Sequence, residues 1–503
     1  METVKSSIKE PKKIFSQTKE QPIECDIVLP DYYPEISKIL DCCVSLSREA
    51  VTVTADKISV SGRANVRLLY TSAENELKAY ETVSKYTRLI PGDRFETTDI
   101  CIVSQSLSSL NFRAVSPRKA EIRASASVKA EIIRLEEKNV ITDIEDSEIE
   151  KLAAQSECFS ISAFSFASLE ISDKLSLPVP KEKISAILRQ SVKLDFTEIK
   201  AINNKIMLSG FSEICFVYVD SDNKVSSEMN AKIPFTQIKE LYGVNENDNC
   251  SVLIKNADIE IDIKNSSGGE SEASFSVFAD AVIIAGQNAE INRIDDVFSV
   301  KTQLEVKRSS VFLPDCVKEI SENAGFSGEI QCFDNPAAEI CDKSVSDISF
   351  SSSIQNGEMN VSGSMNVSVL AKNSDGEYCC HSRSCSFEKA FSGALPQNEY
   401  FISIAQGGIN AEILSDGKIS YSGELNIRIL SLQGENLDIT AGIEEKEKKP
   451  VSGDEKIVLY YGEKGEKLWD IAKENNTSLA SLRAMNEISS DSLDAARVLV
   501  FKS

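Results

Sequence analysis

The amino-acid sequence predicts a mainly β protein: three related β-rich domains, each with a short helix, followed by a small β-α-α-β domain. The main observation is a phrase that occurs three times, in which Leu-Pro precedes Glu-Ile-Ser or Lys-Ile-Ser with four residues between them. The phrase begins at Leu29, Leu177 and Leu313, and each copy leads to a segment of alternating apolar and polar residues that ends in Ser-Gly, at Gly62, Gly210 and Gly363. The spacing from Leu to Gly is 33 in the first two copies (62 − 29; 210 − 177) and 50 in the third (363 − 313). Two marks at a shared spacing indicate an internal repeat, with 17 extra residues (50 − 33) in the third copy.

Length and composition indicate three or four packed domains. The chain has 503 residues, and a domain typically has about 100–150. The hydrophobic fraction of 42% is ordinary for folded proteins. The formal net charge is −23, from 55 basic and 78 acidic residues. Because phosphate backbones repel such a surface, we expect no nucleic-acid partner.

The N-terminal segment, residues 1–20, is expected to be a flexible, basic leader. Its lysines are not followed by the run of about 7–15 apolar residues that a secretory signal contains. No segment reaches the roughly 20 apolar residues of a membrane-spanning helix. The 13 cysteines are odd in number and form no C-x-x-C pair, which fits free thiols in a reducing compartment better than disulfides. Together these observations favour the cytoplasm.

The first repeat is expected to span residues 21–148 and to contain the short helix near its start. Pro30 suits the first turn of a helix, where its missing N–H costs nothing. Ile36, Ile39 and Leu40 then lie on one helical face. Beyond this point the hydrophobic period changes to two, which predicts half-buried strands joined by polar turns.

The second and third repeats are expected at residues 149–292 and 293–440, with the same order of elements. Glycine weakens a strand interior and often marks a bulge or a close backbone approach. We therefore expect the three Ser-Gly glycines to mark bulges that curl the sheets, with a ligand contact as the alternative. The charged segment 441–455 predicts a flexible linker.

No constellation of catalytic residues stands out in the sequence. The one histidine, His381, lies near Cys379, Cys380 and Cys385, so a zinc site has to be weighed. Neighbouring residues in a strand point to opposite faces, and adjacent Cys379 and Cys380 are therefore poorly placed to bind one ion. The sequence also has no phosphate-binding glycine loop. We expect no catalytic residues, no metal site and no cofactor.

The C-terminal segment, residues 456–503, differs in kind from the repeats. A strand is predicted at 457–461, and apolar residues then follow at helical spacing in 468–475 and 479–485. A second strand is predicted at 497–501. A β-α-α-β unit of this size stays folded only with close packing of helices on the sheet.

This segment resembles the LysM domain family. Tyr461-Gly-Glu-Lys-Gly-Glu-Lys-Leu468 stands where the family has its Gly-Asp-Thr-Leu turn, Trp469-Asp-Ile-Ala472 matches its Trp-x-Ile-Ala helix, and Asn486 ends the second helix. The resemblance implies binding of N-acetylglucosamine glycans in a groove between the loops Gly462–Lys467 and Asn486–Ser490. The candidate binding residues are Gly462, Lys464, Gly465, Glu466, Lys467, Trp469, Asn486 and Ile488.

The turn of this LysM-like segment departs from the family pattern. Glu466-Lys467 replaces the usual Asp-Thr pair, and lysine lacks the side-chain oxygen that caps the start of a helix. The change also removes small polar groups that suit sugars. Trp469, the only tryptophan, has two interpretations: a residue of the helix core, or an anchor for a protein partner.

The three repeats resemble the SPOCS (spore coat) domain family, through Leu29-Pro-Asp-x-x-Pro-Glu-Ile-x-Lys-Ile-Leu40, the Ser-Gly strands and the trailing LysM-like segment. The resemblance implies a non-enzymatic adaptor of endospore coat assembly, in the mother-cell cytoplasm at the surface of the developing spore. It also implies that the LysM domain binds the coat-scaffold ATPase, of the stage IV sporulation protein A type, with other coat proteins as further partners. The alternative is binding of peptidoglycan or another N-acetylglucosamine glycan at the cell wall or spore cortex.

Overall fold

In the computed structural model, eighteen long strands form three consecutive six-stranded units. The structure describes residues 2–177, 184–226, 228–265, 271–332, 336–392, 399–449 and 457–502. The first unit contains β1 (Thr3–Val28), β2 (Lys38–Thr54), β3 (Lys57–Thr71), β4 (Leu77–Pro91), β5 (Ile100–Ser116) and β6 (Lys119–Ile144). The second contains β7 (Ile149–Leu177), β8 (Ile184–Ile202), β9 (Lys205–Asp220), β10 (Met229–Glu240), β11 (Asn249–Asn265) and β12 (Ser271–Ser299). The third contains β13 (Thr302–Ile330), β14 (Ala337–Gln355), β15 (Glu358–Asn373), β16 (Tyr378–Phe391), β17 (Tyr400–Ile413) and β18 (Ile419–Lys448).

The three units share one topology. In each unit the last strand lies between the first and the fifth, which gives the sheet orders β1-β6-β5, β7-β12-β11 and β13-β18-β17. The three middle strands form a second antiparallel sheet, with orders β2-β3-β4, β8-β9-β10 and β14-β15-β16. This confirms the prediction of three related β-rich domains, and the small β-α-α-β domain follows them.

Each unit packs its two sheets face to face around one core. In β3 buried and half-buried residues alternate along the strand, as the period of two predicts. Val60, Ala64 and Leu68 thus face the same core as Ile122 and Val128 of β6. Burial of these apolar faces is the main favourable term that holds the two sheets together.

The Ser-Gly glycines occupy equivalent positions, in the central strands β3, β9 and β15. A register shift adjoins each of them, at Arg48/Ala50, Phe196/Glu198 and Ser346/Ser349 of the neighbouring strand, so the predicted bulges are confirmed. An aromatic residue lies opposite each glycine: Tyr86, Phe235 or Phe387. A Cβ on Gly363 would approach the Ser349 carbonyl oxygen to 2.1 Å, so glycine is required by this close approach of the two strands.

The first and third Leu-Pro phrases do not form the predicted helices. Residues 29–37 of the first copy form turns that lead directly into β2, and Pro178–Lys183 of the second lies outside the described residues. A helix this short is costly to nucleate, and the backbone turns instead, with the Tyr33 N–H donating to the Pro30 carbonyl.

The third Leu-Pro phrase was also assigned to the wrong position. Leu313 lies inside β13, opposite Glu435, whereas Leu29 directly follows β1 and Leu177 ends β7. Pro314 is tolerated in this strand because it lies at a register shift, where a ladder hydrogen bond is already interrupted. Leu177, which lies 33 positions before Gly210, is the last residue of β7. The residue 33 positions before Gly363 is Ile330 (363 − 33), which is likewise the last residue of β13, so the third repeat has no insertion of 17 residues.

The N-terminal segment is not a flexible leader. From Thr3 onward it forms β1, which pairs with β6 along its whole length, from Thr3 opposite Ile144 to Val28 opposite Lys119. The lysines of this segment lie on an edge strand, where charge discourages pairing with other chains. Sequence composition alone indicated the wrong state because the partner strand is more than a hundred residues away.

Three equivalent hairpin turns meet where the units converge. The turns follow β3, β9 and β15, and among the described residues each turn has one with positive φ: Asn75 at 60°, Asn223 at 62° and Gly376 at 79°. The Asn223 side chain accepts from the Leu77 N–H at 2.7 Å and donates to the Asn75 carbonyl at 3.0 Å. Asn75 in turn donates to the Gly376 carbonyl at 3.0 Å. These bonds join all three units at one point.

Replacing Asn223 with glycine is expected to lower the free energy of unfolding by about 1–3 kcal/mol, because the Leu77 N–H loses its acceptor while the positive φ stays accessible. The measurement is urea unfolding followed by circular dichroism. Asn356→Gly is the matched control, since Asn356 has φ 53° in an exposed turn. A change of similar size in both variants would contradict a role for the hydrogen bonds.

Candidate functional site

The C-terminal domain has the predicted β-α-α-β order. It consists of β19 (Ile457–Gly462), α1 (Leu468–Glu474), α2 (Leu479–Asn486) and β20 (Arg497–Lys502). The two strands pair antiparallel, with Tyr460 opposite Leu499. The helices cover one face of this small sheet around a core that includes Leu468, Ile471, Leu482, Leu499 and Phe501.

The first predicted groove loop, Gly462–Lys467, lies beside the residues that directly follow the second predicted loop, Asn486–Ser490. The Gly465 N–H donates to the Leu493 carbonyl at 2.8 Å, and the Leu468 N–H donates to the Asp491 carbonyl at 2.9 Å. Gly465 has φ 93°, a left-handed conformation that favours glycine. The backbone therefore holds the turn before α1 against the segment between α2 and β20.

Glu466 and Lys467 replace the usual turn residues in different ways. Lys467 stands at the N-cap of α1 and makes no side-chain capping bond, as expected from its lack of an oxygen. The Glu466 carboxylate instead accepts from the Glu463 N–H at 2.9 Å and from the Tyr460 hydroxyl at 3.3 Å. The glutamate side chain is longer than the usual aspartate, so its carboxylate reaches these donors and stabilises the turn. The same hydrogen bonds use part of its capacity to accept bonds from a ligand.

Four of the eight candidate residues are buried: Gly462, Trp469, Asn486 and Ile488. The Asn486 amide donates to the Leu482 and Val500 carbonyls at 2.8 and 2.7 Å, and its oxygen accepts from the Val500 N–H at 2.7 Å. A Cβ on Gly462 would lie 2.3 Å from a methyl group of Leu493, so the buried Leu493 side chain would have to move to admit a larger residue. Contact of a ligand with Gly462 or Asn486 would require the domain itself to rearrange.

The exposed part of the candidate site is Lys464, Gly465 and Lys467, with Glu466 half-buried beside them. Within the described part of the chain, no ion pair engages Lys464 or Lys467. The turn therefore presents two ammonium groups and an accessible backbone. This surface suits a protein partner with acceptor groups at least as well as a neutral sugar.

Trp469 packs against the repeats. Its side chain is 5% exposed. Its indole meets the Phe298 ring edge-on, with centroids 5.0 Å apart, and its Nε1 donates to Asp296 at 2.9 Å. Lys473 also donates to Asp296. Burial opposes ionisation of this carboxyl, but the hydrogen bonds from Lys473 and Trp469 hold the pKa of Asp296 below its usual range.

Asp296 and Phe298 were missed by the sequence reasoning. They lie at the end of β12, 173 and 171 residues before Trp469 (469 − 296; 469 − 298), and no local pattern marks them. The third repeat was expected to begin at residue 293, so the sequence assigned Asp296 and Phe298 to the third repeat, whereas they belong to β12 of the second unit. A bulge between Ile294 and Asp296 is the feature that sets them apart in the structure.

The predicted linker is mostly part of the third unit. β18 continues to Lys448, which pairs with Thr302, so residues 441–448 are strand. Lys449 follows, with its N–H bonded to the Lys301 carbonyl and its amine to the Ser299 carbonyl, each at 2.8 Å. Residues 450–456 lie outside the described residues.

A cavity of about 1570 Å³, lined by both polar and apolar side chains, lies among the three units. Charged side chains around this cavity pair between the units: Arg48 of the first unit with Asp280 of the second, and Arg189 of the second with Asp342 of the third. Lys255 projects into it and donates to the Ile402 carbonyl. Burial lowers the pKa of Lys255 to about 8.

The cysteines and the histidine form no metal site in the described residues, where no group of three or more Cys, His, Asp or Glu side chains could hold an ion. His381, Cys379, Cys380 and Cys385 lie along β16. All 13 cysteines are free thiols. Burial raises the pKa of Cys250 to about 11, so this thiol is a poor nucleophile.

Comparison with known families identifies two domains in the chain. Residues 183–264 match the model described as "SipL, SPOCS domain", which covers β8 to β11 of the second unit. Residues 463–502 match the LysM domain. Both are binding or adaptor domains of non-catalytic type, and they indicate a protein of sporulation, related to the spore coat. No curated protein and no solved structure matches the chain. Across the described ranges, no helix has the length and apolar character needed to cross a membrane.

Proposed function

We propose that this chain is a non-enzymatic adaptor of endospore coat assembly, whose LysM domain binds a coat-scaffold ATPase of the stage IV sporulation protein A type. The observation that carries the proposal is the combination of a SPOCS domain with a LysM domain in one chain. The altered turn supports a protein ligand, because Glu466 is engaged within the turn and Lys464 and Lys467 present charge.

The proposed place of action is the mother-cell cytoplasm, at the surface of the developing spore, where other coat proteins are further partners. The 13 free thiols support a reducing compartment. The three units then serve as the scaffold, with the LysM domain at its C-terminal end.

The second candidate function is binding of peptidoglycan or another N-acetylglucosamine glycan by the LysM domain. The observation that favours it is the placement of the turn before α1 against the segment between α2 and β20, which the Gly465 and Leu468 N–H groups hold together. The four buried candidate residues, Gly462, Trp469, Asn486 and Ile488, are engaged in packing or in the Asn486 hydrogen bonds, which counts against a deep sugar groove.

The test is capture of the purified ATPase by the full-length chain, with chitin oligomers and peptidoglycan as competing ligands. We expect capture of the ATPase, weakened at least tenfold by Lys464→Glu combined with Lys467→Glu, because both charges are exposed at the turn. Lys502→Glu, at the other end of the domain, is the matched control. Tight binding to the glycans, with no capture of the ATPase, would replace this proposal with the second candidate.

A further inference from the structure

The LysM domain is docked on the repeats through one face of α1. The docking ridge, defined as Asp296, Phe298 and Val300, runs from the end of β12 toward β13. Trp469 contacts Asp296 and Phe298, as described above. Asn476, just beyond α1, donates from Nδ2 to the Val300 carbonyl at 3.1 Å. The contact therefore includes an aromatic pair, a charge-assisted hydrogen bond and a backbone bond.

The ridge completes the hydrophobic core of the LysM domain. Among the buried side chains of that core, Phe298 is the one that comes from outside residues 457–502. Aromatic pairs with this edge-to-face geometry contribute about 0.5–1.5 kcal/mol beyond the area they bury. Without the ridge, the indole of Trp469 would face solvent on that side.

Asp296 makes the docked position specific. Its side chain is 13% exposed and receives Trp469 and Lys473 from the LysM domain, and Arg308 from β13. Hydrogen bonds to a buried charge are roughly twice as strong as neutral ones and depend on direction. A rotated or shifted LysM domain would remove the Trp469 and Lys473 donors from this carboxylate and leave Arg308 as its charged partner.

We propose that the docking ridge is an intramolecular competitor that covers the Trp469 face of the LysM domain, so a protein partner that binds this face must displace the ridge. This inference rests on the proposed function, since it concerns how the same domain meets its partner. The apparent affinity of a partner is reduced by the fraction of molecules in which the face is open. Weakening the ridge therefore strengthens capture.

The experiment uses the full-length chain with Asp296→Asn and, separately, Phe298→Ala. The first readout needs no partner: Trp469 is the only tryptophan, so its fluorescence emission reports on this contact alone. We expect a red shift in both variants, with circular dichroism of the β units unchanged. The second readout is affinity for the purified ATPase, expected to rise at least threefold. Asp295→Asn is the matched control, since Asp295 pairs with Arg293 on the same strand.

The outcomes separate this inference from the proposed function. Unchanged emission in both variants would show that the ridge does not hold the domain. A red shift with equal or weaker capture would show that the partner does not compete with the ridge. If the wild-type chain and every variant fail to capture the ATPase, the proposed function fails and the competition with it, while the emission shift still reports on docking.

Discussion

Replacing Lys255 with methionine is expected to stabilise the three units by up to about 3 kcal/mol at pH 7. Burial lowers the pKa of Lys255 from 10.5 to about 8, and each pKa unit corresponds to about 1.4 kcal/mol. The chain thus holds a charged amine in a site that disfavours it. Methionine keeps the length and apolar stem of lysine, and loses the hydrogen bond to the Ile402 carbonyl. Thermal unfolding followed by circular dichroism measures the change.

The same lysine gives a pH dependence with a defined sign. The folded-state pKa lies below the unfolded value, so the penalty is fully present below about pH 8 and is lost as pH rises toward 10.5. Glu131 favours the charged amine, whereas Lys129 and Lys13 disfavour it. The difference between Lys255→Met and wild type should shrink between pH 8 and pH 10.5. Lys200→Met, at an exposed position of β8, is the control. A destabilised Lys255→Met, or a difference that does not change with pH, would contradict this interpretation of Lys255.

Replacing Asn486 with alanine is expected to unfold the LysM domain or to destabilise it by about 3 kcal/mol. The change removes three hydrogen bonds and leaves the N–H and carbonyl of Val500 without partners, at about 1–3 kcal/mol for each buried group. A domain of this size rarely has more than about 3–5 kcal/mol of stability from its core. Fluorescence of Trp469 in the full-length chain follows the unfolding of this domain selectively.

Two further variants are compared with Asn486→Ala to show how the loss of stability depends on the number of hydrogen bonds removed. Asn486→Asp keeps the acceptor for the Val500 N–H and loses the donor, and we expect an intermediate loss. Asn475→Ala removes a single bond, from its amide to the Ile471 carbonyl at 2.8 Å, and should cost about 1 kcal/mol. If Asn486→Ala leaves the domain as stable as wild type but abolishes ligand binding, Asn486 is a ligand-binding residue, as the sequence resemblance implied.

The sequence by itself determined the features that depend on neighbours along the chain. Alternation of apolar and polar residues specifies strands such as Lys57–Thr71, because a period of two places one set of side chains in the core. Gly62, Gly210 and Gly363 could be predicted as equivalent bulge positions for a similar local reason. The β-α-α-β order of the last domain followed from its change of period and its LysM-like motif.

Only the tertiary structure decided which segments pair and which side chains are covered. Residues 1–20 were expected to form a flexible leader because their partner strand, Lys119–Ile144, is distant in sequence and backbone pairing leaves little trace in composition. Leu313 fitted a repeat phrase but lies within a strand, since three or four matching residues do not fix a register. The local sequence does not decide whether Trp469 is a core residue or an anchor for a partner. Its contacts with Phe298 and Asp296 show that the indole is buried within the chain. Burial of that indole depends on a contact across 171 residues (469 − 298), which no local pattern encodes.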